Sequence, residues 1–277
     1  MQKATNAKEE NEKNKELEQI KLAVSAAQVA GEGTINDKVL NDELIANLGG
    51  TETADRVGEN WYYKGYIIEK NGNVEKLLPK EYQQVEYIKS TGTQFILLDY
   101  FPTKDTDLTI KGKVVTNNRG FWGIWDDNGT TIGFQAPLKN FSNILQEVKI
   151  YYADKWGNIS NTTKSLSTEN YTIEIRNGIQ KYNSEIFSNE TISNINFSNN
   201  AKELGFPIIG GAYLSWGGFV KTHQIISEII WKDEIHGSHY FIPCYRKNDN
   251  TIGFYDSIEE RFYTNQGTGN FEKGIDV

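Results

Sequence analysis

Several aromatic residues of the C-terminal two thirds lie in or beside predicted turns, where a planar ring can stack on the face of a sugar. They are Trp122, Trp125, Trp156, Tyr213 and Trp216. Trp125 is followed by Asp126 and Asn128, which offer a carboxylate and an amide for hydrogen bonds to hydroxyl groups. Tyr213 and Trp216 form a second group. Each Trp is also a candidate core residue, because large aromatic side chains fill the interiors of β proteins. Taken together, these residues favour a carbohydrate-binding surface.

Acidic and amide oxygens cluster in the tetrapeptide Asp126-Asp127-Asn128-Gly129. Oxygen ligands of this kind suit Ca²⁺, which makes Asp126 and Asp127 candidate metal ligands. The same tetrapeptide is a turn signal, and one loop supplies too few ligands for Ca²⁺ on its own. We therefore expect no cofactor, with calcium as the alternative.

Glycoside hydrolysis requires two carboxyl groups, about 5–5.5 Å apart for retention or about 6.5–9.5 Å apart for inversion. Glu174 and Glu228 each stand alone in an apolar strand-like segment, with no acid two or four places away. A pair formed across two strands leaves no trace in the sequence. The sequence therefore predicts a protein without catalytic residues, and a glycoside hydrolase is the weakest alternative.

His236 and His239 are three residues apart, and Asp233 and Glu234 stand just before them. On a helix this spacing could hold a metal ion. Here the residues fall in a predicted turn from Asp233 to Ser238, so we interpret them as part of a solvated loop.

The single cysteine, Cys244, excludes an internal disulfide and a Cys-cluster zinc site. Its neighbours Phe241, Ile242 and Tyr245 are apolar or aromatic. This setting predicts a small core residue and not a nucleophile.

Composition excludes further classes of function. The 277 residues carry 29 Lys and Arg against 37 Asp and Glu, a formal net charge of -8. A protein that grips phosphate backbones normally has the opposite sign, so we expect no nucleic-acid partner. No run of about 18 apolar residues is present, so the sequence predicts no membrane span.

The first 77 residues predict two helices followed by a small β meander. Apolar residues at helical spacing indicate a helix from about Ala4 to Ala30, along a stripe of Leu17, Ile20, Val24 and Ala27. A second helix is predicted over residues 36–48, with its inward side chains at Val39, Leu44, Ile45 and Leu48. Asn71-Gly72 between β-like segments is a hairpin signal.

Residues 78–277 predict a second domain that is almost wholly β. Short apolar segments alternate with turn clusters, which is typical of an antiparallel sandwich or jelly roll. The predicted strands are 94–98, 108–115, 120–125, 131–135, 147–152, 171–176, 224–231, 240–245, 251–256 and 261–264.

The two ends of this β region resemble one known family. The first block is residues 78–96 (LPKEYQQVEYIKSTGTQFI), and the second comprises residues 241–247 (FIPCYRK), 253–256 (GFYD), 261–265 (RFYTN) and 267–269 (GTG). Both are similar to the concanavalin A-like (laminin-G-like) jelly rolls of surface and phage proteins of gut bacteria. The resemblance implies an antiparallel two-sheet jelly roll whose first and last strands lie close together.

Residues 16–24, the glycine at position 31, the second short helix and the meander together resemble clostridial type IV pilin-like proteins. In that family a hydrophobic helix precedes this point, inserts in the membrane and packs into the pilus. The chain starts Met1-Gln2-Lys3, so we expect that this apolar helix has been trimmed away.

The fold class predicted is therefore mainly β, with a long helix and a small pilin-like α/β unit at the N-terminus. The two resemblances imply an extracellular, cell-surface or pilus protein with adhesin-like function. Its expected partners are other pilin subunits and a glycan or another surface ligand, and a membrane only through the missing helix. The alternatives are a structural pilus subunit with the sandwich as spacer, a phage tail receptor-binding domain and a glycoside hydrolase.

Overall fold

The chain forms two compact units, Met1–Pro79 and Lys80–Val277. The computed structural model describes residues 2–57, 59–113, 121–126, 131–135, 147–153, 164–165, 170–176, 179–189, 195–214 and 218–277. The protein is mainly β, with predominantly antiparallel sheets and three helices among these residues.

The first unit contains two helices and four short strands. Its elements are α1 (Gln2–Ala30), α2 (Asp37–Leu48), β1 (Asp55–Val57), β2 (Asn60–Tyr63), β3 (Tyr66–Ile68) and β4 (Val74–Lys76). The strands form one antiparallel sheet in the order β1-β2-β3-β4. This order follows the chain, as expected for a meander.

Helix α2 begins where Asn36 caps it. The Asn36 Oδ1 accepts hydrogen bonds from the backbone N–H groups of Lys38 and Val39. The predicted inward face is correct at Leu44, which is buried, whereas Ile45 is 37% exposed. Leu40 lies in the core in its place, because it sits one turn before Leu44 on the same face.

The stripe of α1 packs as its spacing predicts. Ile20, Val24 and Ala27 are buried in the core of the first unit, and Leu17 packs against them partly buried. Trp61 and Tyr63 of β2 belong to the same cluster. The helical stripe and one face of the sheet therefore share one core.

The second unit contains most of the β structure. Its elements are β5 (Tyr82–Gln84), β6 (Ile88–Thr91), β7 (Ile96–Leu98), β8 (Asp107–Lys113), β9 (Phe121–Trp125), β10 (Thr131–Gln135), β11 (Glu147–Ala153), β12 (Lys164–Ser165), β13 (Asn170–Arg176), β14 (Ile179–Tyr182), β15 (Glu185–Asn189), α3 (Asn199–Leu204), β16 (Phe206–Ile209), β17 (Gly211–Leu214), β18 (Gly218–Lys221), β19 (His223–Asp233), β20 (Gly237–Arg246), β21 (Thr251–Asp256), β22 (Arg261–Thr264) and β23 (Glu272–Lys273).

Two large sheets organise these strands. Eleven strands form one sheet along the order β15-β14-β13-β8-β19-β20-β21-β22, to which β5, β6 and β23 add. Six strands form the other in the order β12-β11-β10-β9-β17-β18, in which β9 and β17 run parallel. β16 and β7 pair with each other in a separate two-stranded antiparallel sheet.

One hydrophobic core joins the sheets of the second unit. Ile110 and Phe241 enter it from the eleven-stranded sheet, and Trp122 enters it from the six-stranded sheet. Phe206 of β16 packs edge-on against Trp122 at 5.2 Å between ring centroids. The alternating burial of β13 follows from this arrangement, since every second side chain faces the core.

The ends of the second unit lie beside each other. β23 pairs with β6, and Val85 forms a β-bridge with Asp276. Lys89 Nζ lies 2.7 Å from a carboxylate oxygen of Glu272 across the same pair.

Among the helices that the structure describes, none has the length and apolar character needed to cross a membrane.

Candidate functional site

Trp122 is part of the core and offers no face to a ligand. It is fully buried, and its indole Nε1 donates a hydrogen bond to the carbonyl oxygen of Ile208 at 3.1 Å. Side chains alternate along β9, so Trp122 and Ile124 point into the main core. The prediction of an exposed ring at Trp122 is wrong, because hydrophobic burial and this hydrogen bond both hold it inside.

Trp125 points to the opposite side of β9 and is also buried, at 4% exposure. It forms a separate small cluster with Ala212 and Leu214 of the neighbouring strand β17. The expected exposed ring is therefore wrong for Trp125 as well. Tyr213 packs partly buried against the main core, so only part of its ring meets solvent.

Asp126 is a buried residue and not a surface ligand. Its Oδ2 accepts a hydrogen bond from the backbone N–H of Ser198, and the residue has no exposed surface. Ser198 in turn caps α3, because its side-chain oxygen accepts from the backbone N–H of Ala201 at 3.2 Å. Asp127, Asn128, Trp156 and Trp216 lie outside the described residues.

This contact places a polar groove next to the end of β9. The groove has a volume of about 390 Å³ and is lined by Asn196, Phe197, Ser198, Asn199, Asn200 and Lys202. Three side-chain amides and one ammonium group supply donors and acceptors there, and the Asn and Lys residues are exposed. Phe197, 4% exposed, anchors the segment in the main core.

The sequence offered one signal for this groove. Residues 196–200 read Asn-Phe-Ser-Asn-Asn, a concentration of amides around one apolar anchor. An exposed aromatic ring does not mark this segment, because its one ring, that of Phe197, is buried.

The carboxylates considered for hydrolysis are engaged with cations. Glu228 lies 2.6 Å from Lys111 Nζ and accepts a hydrogen bond from the Tyr240 hydroxyl at 2.8 Å. Glu174 lies 3.3 Å from Arg176 and 4.0 Å from Lys181. Each carboxylate is thus neutralised locally, which is the arrangement of a charged sheet face.

A third carboxyl group, that of Asp107 near Glu174, has a shifted pKa. Burial raises the pKa of Asp107, and the positive charges of Arg176 and Lys232 oppose that shift. The negative charge of Glu174 adds to the rise. Asp107 and Glu174 belong to neighbouring strands, β8 and β13, so the spacing of acids within a single strand does not reveal this pair.

His239 lies inside the protein, which corrects the expectation of a solvated loop. It belongs to β20, and its side chain is 1% exposed. Its ring stacks on Tyr100 at 4.7 Å between centroids, with an interplanar angle of 17°. His236 does lie in the turn before β20, and its ring stacks on the same Tyr100 at 5.4 Å.

Two carboxylates face His239. Its Nδ1 lies 2.7 Å from Asp256 Oδ2 and 3.8 Å from Glu259 Oε1. Ligand atoms of the three residues lie within 4.8 Å of one another, a spacing that a metal ion could bridge only by displacing the hydrogen bond between His239 and Asp256. The buried pair His239 and Asp256 already satisfy each other through a hydrogen bond.

Cys244 is fully buried, as the sequence predicted for a core residue. Burial raises the pKa of its thiol well above the ordinary value. The thiolate that a nucleophile requires is therefore suppressed.

The fold and these sites define a mainly β protein with a small N-terminal unit of helices and a β meander. No protein-family model, curated protein or solved structure matches the chain.

Proposed function

We propose that this chain is a non-catalytic, extracellular surface-binding protein whose second unit binds glycan in the polar groove of residues 196–202. The groove itself is the observation that carries the proposal. It presents Asn196, Asn199, Asn200 and Lys202 on a segment that is anchored from below by Phe197.

The chemistry of the groove suits hydroxyl-rich ligands. Each side-chain amide both donates and accepts, so it can pair with neighbouring sugar hydroxyl groups that do the same. Lys202 adds one positive charge, which favours glycans that carry a carboxylate or sulfate. Binding of this kind is weak at each site and gains strength where many copies are displayed together.

The resemblances noted in the sequence support the wider setting. A concanavalin A-like jelly roll behind a pilin-like unit fits a displayed adhesin with other pilin subunits as partners. The gene segment upstream of Met1 tests this part of the proposal. A prepilin peptidase site followed by an apolar helix of about 20 residues supports it, and their absence favours a phage receptor-binding protein.

A glycan array tests the binding itself. We expect the full chain to bind a subset of glycans, and the Asn200→Ala and Lys202→Ala variants to lose about tenfold in affinity, which corresponds to about 1.4 kcal/mol. Asn270→Ala is the matched control, because Asn270 is an exposed amide outside the groove. Absence of binding by the parent chain contradicts the proposal and favours a structural spacer.

The raised pKa of Asp107 beside Glu174 favours a hydrolase as the second candidate. Acid and base roles in such an enzyme require two neighbouring carboxyl groups, and burial raises the pKa of Asp107, which lies on the strand next to that of Glu174. Release of reducing ends from polysaccharides, abolished in Asp107→Asn, would establish that function. We expect no release.

A further inference from the structure

His239 is enclosed by rings and by β structure. Tyr100 stacks on one face of the imidazole at 4.7 Å, and Phe241 lies 5.8 Å away with an interplanar angle of 19°. Trp231 stands directly opposite His239 in the register of β19 and β20. A polar ring in such surroundings requires partners for its nitrogen atoms.

Both ring nitrogens of His239 face acceptors. Nδ1 lies 2.7 Å from Asp256 Oδ2, and Nε2 lies 3.1 Å from the backbone carbonyl oxygen of His236. A carbonyl oxygen can only accept, so Nε2 must carry a proton. A neutral imidazole has one N–H, which would leave Nδ1 and the carboxylate as two acceptors in contact. A second proton must therefore lie between His239 and Asp256.

The surroundings of Asp256 assign that proton to the ring. Asp256 Oδ1 accepts hydrogen bonds from the backbone N–H groups of Ile258 at 3.0 Å and of Tyr240 at 3.3 Å. Hydrogen bonds donated to a carboxylate favour its ionised form. Glu259 brings a second carboxylate to 3.8 Å from Nδ1, which further favours a positive ring.

We infer that His239 is a buried imidazolium, and that its ion pair with Asp256 makes the second unit lose stability as the pH rises. The pair connects two turns of the large sheet. His239 bonds to the turn between β19 and β20 through the carbonyl of His236, and Asp256 caps the turn between β21 and β22. Loss of the second proton breaks the link between them.

The direction of the effect follows from the pKa of His239. Burial alone would lower this pKa, but the hydrogen bond and charge of Asp256 and the charge of Glu259 together raise it above 6.5. A raised folded-state pKa gives stabilisation that is complete below the unfolded value of 6.5. That stabilisation declines as the pH rises from 6.5 and is lost above the folded-state pKa.

Around the His239 ring, the pKa values of two tyrosines and of Asp233 are shifted away from the pH range in which His239 is expected to titrate. Burial raises the pKa of Tyr100 and of Tyr263, whose hydroxyl donates to Glu259 at 3.0 Å. The pKa of Asp233 is lowered despite burial, chiefly by its hydrogen bond from Thr106. The Arg261 guanidinium lies over the Tyr263 ring, 4.6 Å from its centroid. His236 is removed in a control.

Thermal unfolding of the full chain between about pH 5.5 and about pH 9 tests the inference. We expect Tm to fall as the pH rises above 6.5 and to level off above the folded-state pKa of His239, with a slope of at most about 3–5 °C per pH unit, the limit for the release of one proton. Asp256→Asn retains an oxygen for the turn and should abolish this slope. His236→Asn keeps its backbone carbonyl and should preserve the slope.

Long-range ¹H–¹⁵N NMR of the unmodified chain supplies a readout that does not depend on any variant. We expect both nitrogens of His239 to be protonated at about pH 6.5. A neutral His239 there, or the same slope in Asp256→Asn as in the parent, overturns the inference. A Tm increase on addition of Zn²⁺ that Asp256→Asn loses also overturns it, since the cluster would then hold a metal ion in place of the proton.

Discussion

The buried carboxylate of Asp126 accepts a hydrogen bond from the backbone N–H of Ser198, 72 residues further along the chain. This contact connects the last residues of β9 to the cap of α3. The residue predicted to touch a ligand thus positions the segment that lines the groove. In the proposed function, Asp126 therefore acts on glycan binding only through the position of that segment.

Asp126→Ala removes this anchor. We expect a loss of about 2–3 kcal/mol in the free energy of unfolding, because the Ser198 N–H loses a charged acceptor inside the protein. Urea denaturation measures the loss. Asp126→Asn keeps one oxygen acceptor and serves as the control, with a smaller loss. Equal stability of Asp126→Ala and the parent chain would contradict the anchoring role.

Trp122 and Trp231 are both fully buried, so the contribution of one indole hydrogen bond to stability can be compared at equal burial. Trp122 Nε1 donates to Ile208, whereas Trp231 Nε1 has no hydrogen-bond partner among the described residues. Trp122→Phe leaves a buried carbonyl without its donor, so we expect it to cost about 1–2 kcal/mol more than Trp231→Phe. Paired urea titrations measure the difference. A smaller cost at Trp122 would show that the Ile208 contact does not stabilise the fold.

Gly210 is required by both its backbone angle and its surroundings. It has φ +83°, and a Cβ there would lie 1.9 Å from the carbonyl oxygen of Gln94. Gly218 also has a positive φ, at +69°, but no atom of the described residues lies within 4 Å of its Cβ position. We expect Gly218→Ala to cost about 1 kcal/mol and Gly210→Ala several times more, since backbone must shift only at Gly210. Comparable Tm values for the two variants would contradict this steric reason.

The thiol of Cys244 reports on unfolding. Because burial raises its pKa and removes it from solvent, we expect no reaction with a soluble disulfide reagent at about pH 8 in the native chain. Complete labelling is expected in about 6 M guanidinium chloride. Absorbance of the released thiolate measures both. Rapid native labelling would show that β20 opens readily.

The local pattern of the sequence determined the elements with strong periodicity. The stripe of α1 and the strands Thr131–Gln135, Thr251–Asp256 and Arg261–Thr264 coincide with their predictions. In each, the spacing of apolar side chains matches the geometry of one helix or strand. In the second unit, the pattern did not predict the strands β5, β6, β12, β14, β15, β16, β17, β18 and β23. Pro207 in β16 and the glycine-rich surroundings of β17 obscure the alternation there.

The burial of the candidate site residues could not be predicted from the local sequence pattern in the same way. A Trp beside a turn has the same sequence context whether its ring meets water or the opposite sheet. Trp122 is inside because Phe206 and Ile208 of a distant strand cover it. Trp125 is inside because β17 runs parallel beside β9 and supplies Ala212 and Leu214.

The amino-acid sequence by itself determined that this protein is mainly β, with a helical start and a buried thiol. Only the tertiary structure decided that Asp126 is an anchor, that residues 196–202 line a groove, and that His239 meets Asp256 in the interior. The physical reason is that periodicity records which face of an element is apolar. Contacts between strands depend on sheet order and register, which bring together residues that are distant along the chain.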